Sequence, residues 1–472
     1  MTLWTSDDAA QATGGTATHP FDATGVSIDS RSVGKGDLFV ALHGPRFDGH
    51  EFAQSAVAGG AAGAMIARRP ADASPDAPFL VVNDTMAALQ NLGVAARART
   101  QARIVAVTGS AGKTGTKEAL KLALSYSGST HASTASFNNH WGAPLSLARM
   151  PASTAYGVFE IGMNHAHEIG PLARLVRPHV AIITTVEAAH LEFFASVEAI
   201  ADAKAEIFEG VEPGGLAILN RDNPHFAHLA AAARGRGVAI LSFGEHEQAD
   251  ARLRKHALLD DCSTVSAEIS GSPVTYKIGA PGRHWVMNSL AVLAAVYALG
   301  ADLGLAALAL ARVDPGPGRG RRLHVTLAGG PFELIDESYN ANPASMRAAL
   351  EVLGHAQVKG RGRRIAVLGE MRELGRNSAR LHADLARVAE ETGIDLVYTV
   401  GDDIEEMDLA LAPARRGGHA AQAADVAALL TEVVRPGDVV LVKGSHSTGM
   451  AAVTRALAGL AVGNHRPARN GI

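Results

Sequence analysis

The sequence predicts an α/β protein built from three domains. At roughly 150 residues per domain, its 472 residues correspond to about three domains. Short apolar runs of strand length alternate with helical stretches along most of the chain, a pattern typical of parallel sheets covered by helices. A seam rich in Pro and Gly at 314–322 separates two such regions. Domains are therefore expected at 1–100, 101–313 and 314–472.

Strands are predicted in all three domains, with the fewest in the first. In the first, a small mixed α/β domain, strands are predicted at 37–42 and 79–82, with a short helix at 52–62. In the central domain, strands are predicted at 104–108, 158–161, 180–185, 216–219 and 238–241, with alternation continuing to about residue 312. In the third, a Rossmann-like domain, strands are predicted at 332–336, 364–368, 396–400 and 439–442. Asn342-Pro343 would begin a helix there, and the tail after Gly463 is expected to fray.

Composition narrows the class of protein. Hydrophobic residues make up 47% of the chain and charged residues 19%, which suits packed cores. The net charge of −4 argues against a general nucleic-acid-binding surface. Cys262 is the one cysteine, so no intrachain disulfide can form. Because no basic leader with an apolar stretch is visible and the apolar region 285–313 is interrupted by Gly and Asp, we expect no membrane span and a cytoplasmic location.

The strongest chemical signal is the run 104–118, in which a predicted strand enters a glycine loop and a helix follows. Glycines let backbone N–H groups turn toward phosphate oxygens, and a helix N-terminus adds partial positive charge. Lys113 would neutralise the terminal phosphates and the Thr114 hydroxyl would bind magnesium. Val107 stands where a full P-loop has glycine, so the loop is a shortened variant. The predicted nucleotide contacts are Thr108, Gly109, Ser110, Ala111, Gly112, Lys113, Thr114 and Gly115.

The run 108–116 resembles the nucleotide loop of the Mur ligases, ATP-dependent enzymes that build the bacterial peptidoglycan precursor. Further runs resemble the same family in the same order, at 136–142, 160–165, 187–192, 203–208, 220–223, 282–288 and 320–322. The runs 162–165 and 336–346 are most similar to the branch that adds D-alanyl-D-alanine. The runs 29–31, 36–42 and 48–50 resemble its UDP-binding domain. The resemblance extends from about residue 25 to about residue 455.

The resemblance implies a reaction and its cofactors. ATP would phosphorylate a carboxylate of UDP-N-acetylmuramoyl-tripeptide, and the amine of D-alanyl-D-alanine would attack the acyl phosphate. Two magnesium ions and a carbamylated Lys204 are implied with ATP. We expect a monomer without a nucleic-acid partner.

The resemblance also implies roles for individual residues. The implied catalytic residues are Lys113, Glu160, His190, Lys204 and Arg322. The implied metal ligands are Thr114, Ser136, Glu160, His190 and Lys204. Asn288 would lie near adenine, Asp336 would hold the ribose, and Arg322 would reach the terminal phosphate when the domains close. The implied substrate contacts are Ser30, Arg31, Asn138, Asn139, Asn340, Asn342 and Lys443, with Tyr339 at the nucleotide.

Each of these residues also has an ordinary structural explanation, such as a turn-forming Asn, a helix cap or a solvated lysine. The sequence departs from the family pattern in three places: Glu337 replaces an Asp, His446 replaces an Arg, and the loop has Ala111-Gly and Gly115 where some relatives have Asn and Thr. The rival functions are a sister ligase that adds the third peptide residue, a folylpolyglutamate synthetase, a P-loop ATPase that acts as a switch, and a catalytically inactive binding module.

Overall fold

Within the described residues, three large sheets with helices packed against them and one small two-stranded sheet form the fold, in agreement with the predicted α/β class. The structure is a computed structural model that describes residues 2–44, 47–71, 73–134 and 136–461. The tail predicted to fray, after Gly463, lies outside the described residues. Along the part of the chain that is described, no helix combines the length and the apolar character needed to cross a bilayer.

The N-terminal region is a small, mostly parallel sheet. Its strands are β1 (Trp4–Thr5), β2 (Thr16–Ala17), β3 (Asp22–Ala23), β4 (Gly25–Ser27), β5 (Asp37–Val40), β6 (Gly63–Ile66) and β7 (Phe79–Val81). Its helices are α1 (Ser6–Thr13), α2 (Ala53–Ala58) and α3 (Thr85–Ala98). The main sheet has the order β2-β7-β6-β5-β4, in which only β2 is antiparallel to its neighbour. The helix predicted at 52–62 is shorter in the structure, where α2 covers only Ala53–Ala58 and a 3-10 turn at Gly49–Phe52 precedes it.

The central region contains a nine-stranded sheet. Its strands are β8 (Arg103–Thr108), β9 (Thr130–Ala132), β10 (Tyr156–Glu160), β11 (Val180–Ile183), β12 (Leu216–Asn220), β13 (Ala239–Gly244), β14 (Ala251–Leu258), β15 (Ser263–Ile269) and β16 (Ser272–Ile278). Its helices are α4 (Lys113–Ser125), α5 (Gly142–Ala148), α6 (Ile169–Val176), α7 (Val197–Ala205), α8 (Phe226–Gly235), α9 (Arg283–Ala298) and α10 (Leu303–Leu310). The order is β16-β15-β14-β13-β12-β11-β8-β10-β9.

The far edge of this sheet differs from the sequence prediction. We predicted helix and strand alternation up to about residue 312, but β14, β15 and β16 form an antiparallel ribbon. The middle of β14 is exposed and polar at Arg254, Lys255 and His256, so it lacks the apolar run by which the other strands were recognised.

The third region contains a six-stranded sheet of order β17-β18-β22-β19-β20-β21, in which only β17 is antiparallel. Its strands are β17 (Arg321–Leu327), β18 (Gly330–Glu337), β19 (Arg364–Gly369), β20 (Leu396–Val400), β21 (Arg416–Ala420) and β22 (Val439–Lys443). Its helices are α11 (Pro343–His355), α12 (Ser378–Glu391), α13 (Glu405–Ala410), α14 (Ala423–Val433) and α15 (Ala451–Ala458). Helix α11 begins at the predicted Asn342-Pro343 step, where Asn342 and Ser345 form a capping box.

The register of the central sheet determines where polar side chains meet. Strand β8 lies between β10 and β11, and all three are parallel. Glu160 pairs with Val107, and Ile183 pairs with Thr108, so the three strands end at one edge. The loops that leave this edge therefore converge, as is usual for ligand sites in open parallel sheets.

Candidate active site

The phosphate loop lies at this edge, between β8 and α4. Gly109 has φ 150° and Gly112 has φ 80°, and a Cβ on Gly109 would lie 1.9 Å from Thr184 Oγ1. The Lys113 amine donates to the carbonyl of Gly109 at 2.7 Å, which folds the side chain back over the loop. Helix α4 begins at Lys113 with Gly112 as its N-cap, so its first N–H groups face the loop, as predicted.

The remaining predicted loop residues have structural partners. Ser110 Oγ donates to the carbonyl of Glu187 at 3.1 Å, and the Ala111 carbonyl accepts from Thr184 Oγ1 at 2.5 Å. Thr108 is fully buried and its Oγ1 has no hydrogen-bond partner among the described residues. Ser110 and Ala111 thus bind the loop to the segment after β11, while the Lys113 amine bonds to a carbonyl of the loop itself.

Helix α9 packs against the start of α4 and brings Asn288 to the loop. A Cβ on Gly112 would lie 2.6 Å from Asn288 Nδ2, so this amide lies directly over the phosphate loop. A Cβ on Gly115 would lie 2.8 Å from the Trp285 ring, which explains the glycine at 115 by helix packing. Asn288 is therefore placed beside the loop, as predicted, while Gly115 serves the contact between the two helices.

Glu160 ends β10 as a buried carboxylate, only 1% exposed. Its Oε2 accepts from Thr114 Oγ1 at 2.8 Å and its Oε1 accepts from Asn138 Nδ2 at 2.7 Å. Both donors are neutral, and within the described ranges no cationic side chain forms an ion pair with this carboxylate. A buried carboxylate with only neutral partners is an incomplete site that favours an added cation.

Asn139 and Ser136 differ from the predicted ligand roles. Asn139 Oδ1 accepts from the Gly142 N–H at 3.0 Å, so its side chain fixes the turn before α5. Ser136 Oγ accepts from Arg319 Nη2 at 3.0 Å and from the Tyr339 hydroxyl at 2.8 Å. The structure therefore places Ser136 at the contact with the third region, because two donors from that region already use its oxygen.

Two cationic groups lie close together on the central region. Lys204 is on α7, only 2% exposed, and no hydrogen bond or ion pair of its amine is found among the described residues. Burial, together with the positive charge of Lys113, holds the pKa of Lys204 well below its usual range. Burial also lowers the pKa of Lys113, as does the charge of Arg319, while Glu160 opposes that shift. Burial and nearby positive charge thus make both amines lose a proton more readily than a lysine in water does.

His190, in the loop after β11, contacts the third region. Its Nδ1 is hydrogen-bonded to the Glu373 carboxylate, and the hydrogen bond from His190 lowers the pKa of Glu373. Glu373 could not be selected from the sequence, because its partner is 183 positions away.

Arg319 occupies the place that we predicted for Arg322. Its guanidinium lies 3.9 Å from the centre of the Tyr339 ring and donates to Ser136, and its charge acts on Lys113. Arg322 instead forms an ion pair with Glu333 at 2.5 Å and lines a separate cleft of about 250 Å³ with Glu351 and His355. The prediction for Arg322 differs from the structure because β17 begins at Arg321 and its pleat directs Arg322 toward Glu333.

Asp336 and Lys443 are used within the third region. Asp336 Oδ2 accepts from the Gly318 N–H at 2.8 Å and Oδ1 accepts from Ser338 Oγ at 2.6 Å and Thr454 Oγ1 at 3.1 Å. The predicted ribose ligand therefore has its oxygens occupied, and it fixes the turn that presents Arg319. The buried Lys443 amine donates to Glu337 at 3.2 Å, so the charge we assigned to a substrate carboxylate is already paired.

The helix-capping residue Asn342 reaches the phosphate loop. Its Nδ2 donates to the Ser110 carbonyl at 3.1 Å, while its Oδ1 caps α11. Asn340 is turned away, since its Oδ1 accepts from the Ala341 N–H at 2.9 Å and its carbonyl accepts from Lys443. Asn342 therefore contacts the phosphate loop and Tyr339 contacts Ser136 of the central region, whereas the Asn340 side chain bonds within its own turn.

The first region presents Ser30 and Arg31 near the solvent. The Arg31 side chain is 88% exposed and makes a bidentate contact with Asp29, at 2.9 Å and 2.7 Å. Hydrogen bonds from Arg31 lower the pKa of Asp29 to about 2. Ser30 is partly exposed. Neither residue contacts the phosphate loop.

Sequence profiles of known families match all three regions. The profile of the Mur ligase family, catalytic domain, matches residues 22–97, that of the Mur ligase middle domain matches 107–296, and that of the Mur ligase, glutamate ligase domain, matches 321–446. A curated relative, the UDP-N-acetylmuramoyl-tripeptide--D-alanyl-D-alanine ligase of Escherichia coli strain K12, is 37% identical over 437 residues, covering 92% of this chain and 93% of the relative.

Solved structures are similar over nearly the whole chain. A crystal structure of MurF from Acinetobacter baumannii has a TM-score of 0.84 at 32% identity, covering 96% of this chain and 98% of that one. The MurF ligase of Thermotoga maritima in complex with ADP has a TM-score of 0.76 at 26% identity, covering 92% and 97%.

Proposed function

We propose that this chain, which belongs to the Mur ligase family as its motifs predicted, joins D-alanyl-D-alanine to UDP-N-acetylmuramoyl-tripeptide. The reaction uses ATP and releases ADP and phosphate. The observation that carries the proposal is the two-sided phosphate site. Lys113 lies in the phosphate loop of the central region. From the third region Asn342 bonds to the Ser110 carbonyl of that loop, and Arg319 bonds to Ser136 and acts through its charge on Lys113.

In the first step a carboxylate oxygen of the tripeptide attacks the γ-phosphorus of ATP, and the bond to ADP breaks. The residues contribute by position and charge, because the transferred group carries negative charge throughout. Lys113 belongs to the phosphate loop, and Arg319, from the third region, donates to Ser136 and acts through its charge on Lys113. Their convergence favours a phosphate oxygen between them.

In the second step the amine of D-alanyl-D-alanine loses a proton and attacks the acyl carbon, and phosphate leaves. Water would destroy the acyl phosphate, so it must be excluded. The bonds from Asn342 to Ser110 and from Tyr339 to Ser136 close the third region over the loop. Closure therefore protects the intermediate and brings Arg319 into place in one movement.

Magnesium fits the pair formed by Thr114 and Glu160, whose carboxylate is buried beside neutral donors. Across the described ranges, no group of three or more His, Cys, Asp and Glu side chains could hold a metal by itself. That absence suits magnesium, which is commonly held by one or two carboxylates together with substrate phosphates. Held there, magnesium would neutralise negative charge on the phosphates of ATP.

A second magnesium would take His190 and Lys204 as predicted. Because the pKa of Lys204 is lowered by burial and by Lys113, more of its amine is neutral and able to add carbon dioxide. The resulting carbamate would turn an unpaired buried cation into an anion that ligates metal. This also explains why no described carboxylate pairs with Lys204.

The first region is the proposed UDP site, with Ser30 and Arg31 as its contacts, and the domains are proposed at 1–100, 101–313 and 314–472. The Arg31 guanidinium, held in position by Asp29, suits pyrophosphate. We propose that the enzyme acts as a monomer, because one chain supplies both sides of the phosphate site, and that it acts in the cytoplasm.

Mass spectrometry of the product tests the proposed function. The protein would be incubated with ATP, magnesium, UDP-N-acetylmuramoyl-tripeptide and D-alanyl-D-alanine, with the UDP-dipeptide and single amino acids as the matched alternative. We expect the UDP-pentapeptide from the first set and no product from the second. A product from the second set alone would identify a sister ligase.

A further inference from the structure

The pair formed by His190 and Glu373 joins two different sheets at the active site. His190 follows β11 of the central region, whereas Glu373 follows β19 of the third. The carboxylate uses Nδ1 of the imidazole, which fixes the proton there and leaves the lone pair on Nε2. Histidines that ligate metals usually donate their second nitrogen to a carboxylate in this way.

The two backbones approach closely at this pair. The Glu192 N–H donates to the Glu373 carbonyl at 3.0 Å, a main-chain bond between regions. A Cβ on Gly375 would lie 3.2 Å from Glu192 Cα, so the approach depends on glycine. His190 has φ 58° and Glu373 has φ 63°, both in the left-handed region that disfavours residues with a Cβ. Strained backbone on both sides of one contact indicates a functional constraint.

The segment 370–375 is fixed to the third region. Met371 and Leu374 are buried in that region's core, at 0% and 2% exposure. The Met371 N–H donates to His382 Nε2 at 2.8 Å, and the Arg372 N–H donates to Ser445 Oγ at 2.9 Å. Glu373 therefore moves only with the third region as a whole.

The loop that carries His190 is fixed to the phosphate loop. Ser110 Oγ donates to the Glu187 carbonyl at 3.1 Å and accepts from the Glu187 N–H at 3.0 Å. The Phe193 N–H donates to the His190 carbonyl at 2.9 Å. A continuous set of bonds thus leads from the phosphate loop to His190 and, through Glu373, to the third region.

We propose that Glu373 is a positioning residue that orients His190 for a divalent cation, so that this metal site is complete only when the segment 370–375 is docked. The proposal rests on the proposed function, because it assigns regulation by closure to the same site. Metal affinity then depends on domain closure, and the acyl phosphate forms only in the closed enzyme. Closure thus brings Asn342 and Arg319 to the phosphates, and it brings Glu373 to the metal ligand His190.

Manganese binding tests the proposal without measuring turnover. Electron paramagnetic resonance would count Mn²⁺ on the full chain saturated with the β,γ-imido analogue of ATP, for wild type, Glu373→Gln and Glu373→Ala. Glu391→Gln is the control, because that exposed carboxylate lies on α12 beside Arg387 and away from the site. We expect one Mn²⁺ to bind alike in every protein and a second to bind about 10- to 100-fold more weakly in both Glu373 variants.

Nitrogen-15 NMR of the imidazole supplies the second readout. In wild type we expect His190 to carry its proton on Nδ1, and in Glu373→Ala we expect a mixture of both tautomers. Equal affinity for the second Mn²⁺ in wild type and Glu373→Ala, or an unchanged tautomer, would overturn the proposal. Binding of a single Mn²⁺ to wild type, unaffected by either substitution, would overturn it as well.

Gly375→Ala distinguishes loss of docking of the segment 370–375 from loss of the Glu373 carboxylate. It retains that carboxylate but obstructs the approach of the segment to Glu192. We expect it to weaken the second Mn²⁺ as Glu373→Ala does, while the affinity for the ATP analogue stays at the wild-type value. These readouts need no ligase reaction, so failure of amide formation in wild type would refute the proposed function without affecting the result for Glu373.

Discussion

The phosphate loop and the third-region face of the active site are built in different ways. The loop comes from one continuous run, 108–115, held between β8 and α4. The opposing face is assembled from Arg319, Tyr339, Asn342 and Glu373, which belong to separate segments and meet the central region only after the third sheet has packed. From this contrast we expect nucleotide binding to depend mainly on the central region and phosphoryl transfer to depend on both regions.

Lys113→Ala should have the largest effect, because it removes the loop's own cation. We expect phosphate release to fall about a thousandfold, as for the loss of a donor aimed at developing charge. Steady-state phosphate release would measure this, with circular dichroism to check the fold. Lys121→Ala is the matched control, since it alters an exposed lysine on the same helix. Turnover near that of wild type in Lys113→Ala would refute the phosphate-loop assignment.

Arg319→Ala and Arg322→Ala should show which of these two arginines acts in phosphoryl transfer. We expect Arg319→Ala to lower kcat about a hundredfold with little change in stability, because its guanidinium faces the loop. Arg322→Ala should spare kcat and lower the free energy of unfolding by about 1–3 kcal/mol, because Glu333 loses its partner. Kinetics and urea unfolding measure these two quantities. A larger loss of kcat in Arg322→Ala would restore the original prediction for that residue.

Lys204→Ala should reduce turnover about tenfold, since it removes the side chain that we propose to carry a metal-ligating carbamate. Short carboxylic acids such as acetate should partly restore the rate, and bicarbonate should restore it only slightly, because a carboxylate can occupy the vacated space. Phosphate release with and without each acid measures the rescue. A Lys204→Ala variant without any defect would exclude the carbamate.

The smallest expected effect concerns stability at acid pH in the third region. Burial lowers the pKa of His382 below its ordinary 6.5, and its Nε2 accepts from Met371, which only the neutral ring allows. The unfolded chain then binds more protons, so stability is complete above about pH 6.5 and decreases as the pH falls, by at most about 1.4 kcal/mol per pH unit. Thermal unfolding between pH 8 and 5.5 would show this.

Two variants complete that measurement. His382→Gln should flatten the pH dependence, because glutamine does not titrate, and His355→Gln should leave it unchanged, because that ring is exposed. Equal slopes for wild type and His382→Gln would contradict the assignment of the effect to His382.

Much of the fold could be predicted because buried parallel strands carry their own signal. Strand β20 has the predicted bounds 396–400, and the central strands differ by a few residues. The ribbon β14–β16 could not be predicted, since its polar exposed face hides the apolar alternation on the other. The Gly and Pro residues of 314–322 predicted the seam before the third region. Arg319 lies in that seam, between Gly318 at φ 72° and Gly320 at φ 103°.

Some residues of the site could likewise be predicted from the sequence, and others could not. Lys113, Thr114 and Glu160 could be predicted because a strand end and a helix start place them. The choice among Arg319, Arg321 and Arg322 depends on where β17 begins, which composition does not encode. Glu373 carries no local signal at all, since only its contact with His190 across two sheets distinguishes it from other surface carboxylates.

Phosphate release from ATP tests the central claim most directly. Purified protein would be given ATP and magnesium with UDP-N-acetylmuramoyl-tripeptide, with D-alanyl-D-alanine, and with both. Release that requires both substrates, with one phosphate for each amide formed, is the predicted result. Release at the same rate without either substrate would contradict the account and identify an ATPase of another kind.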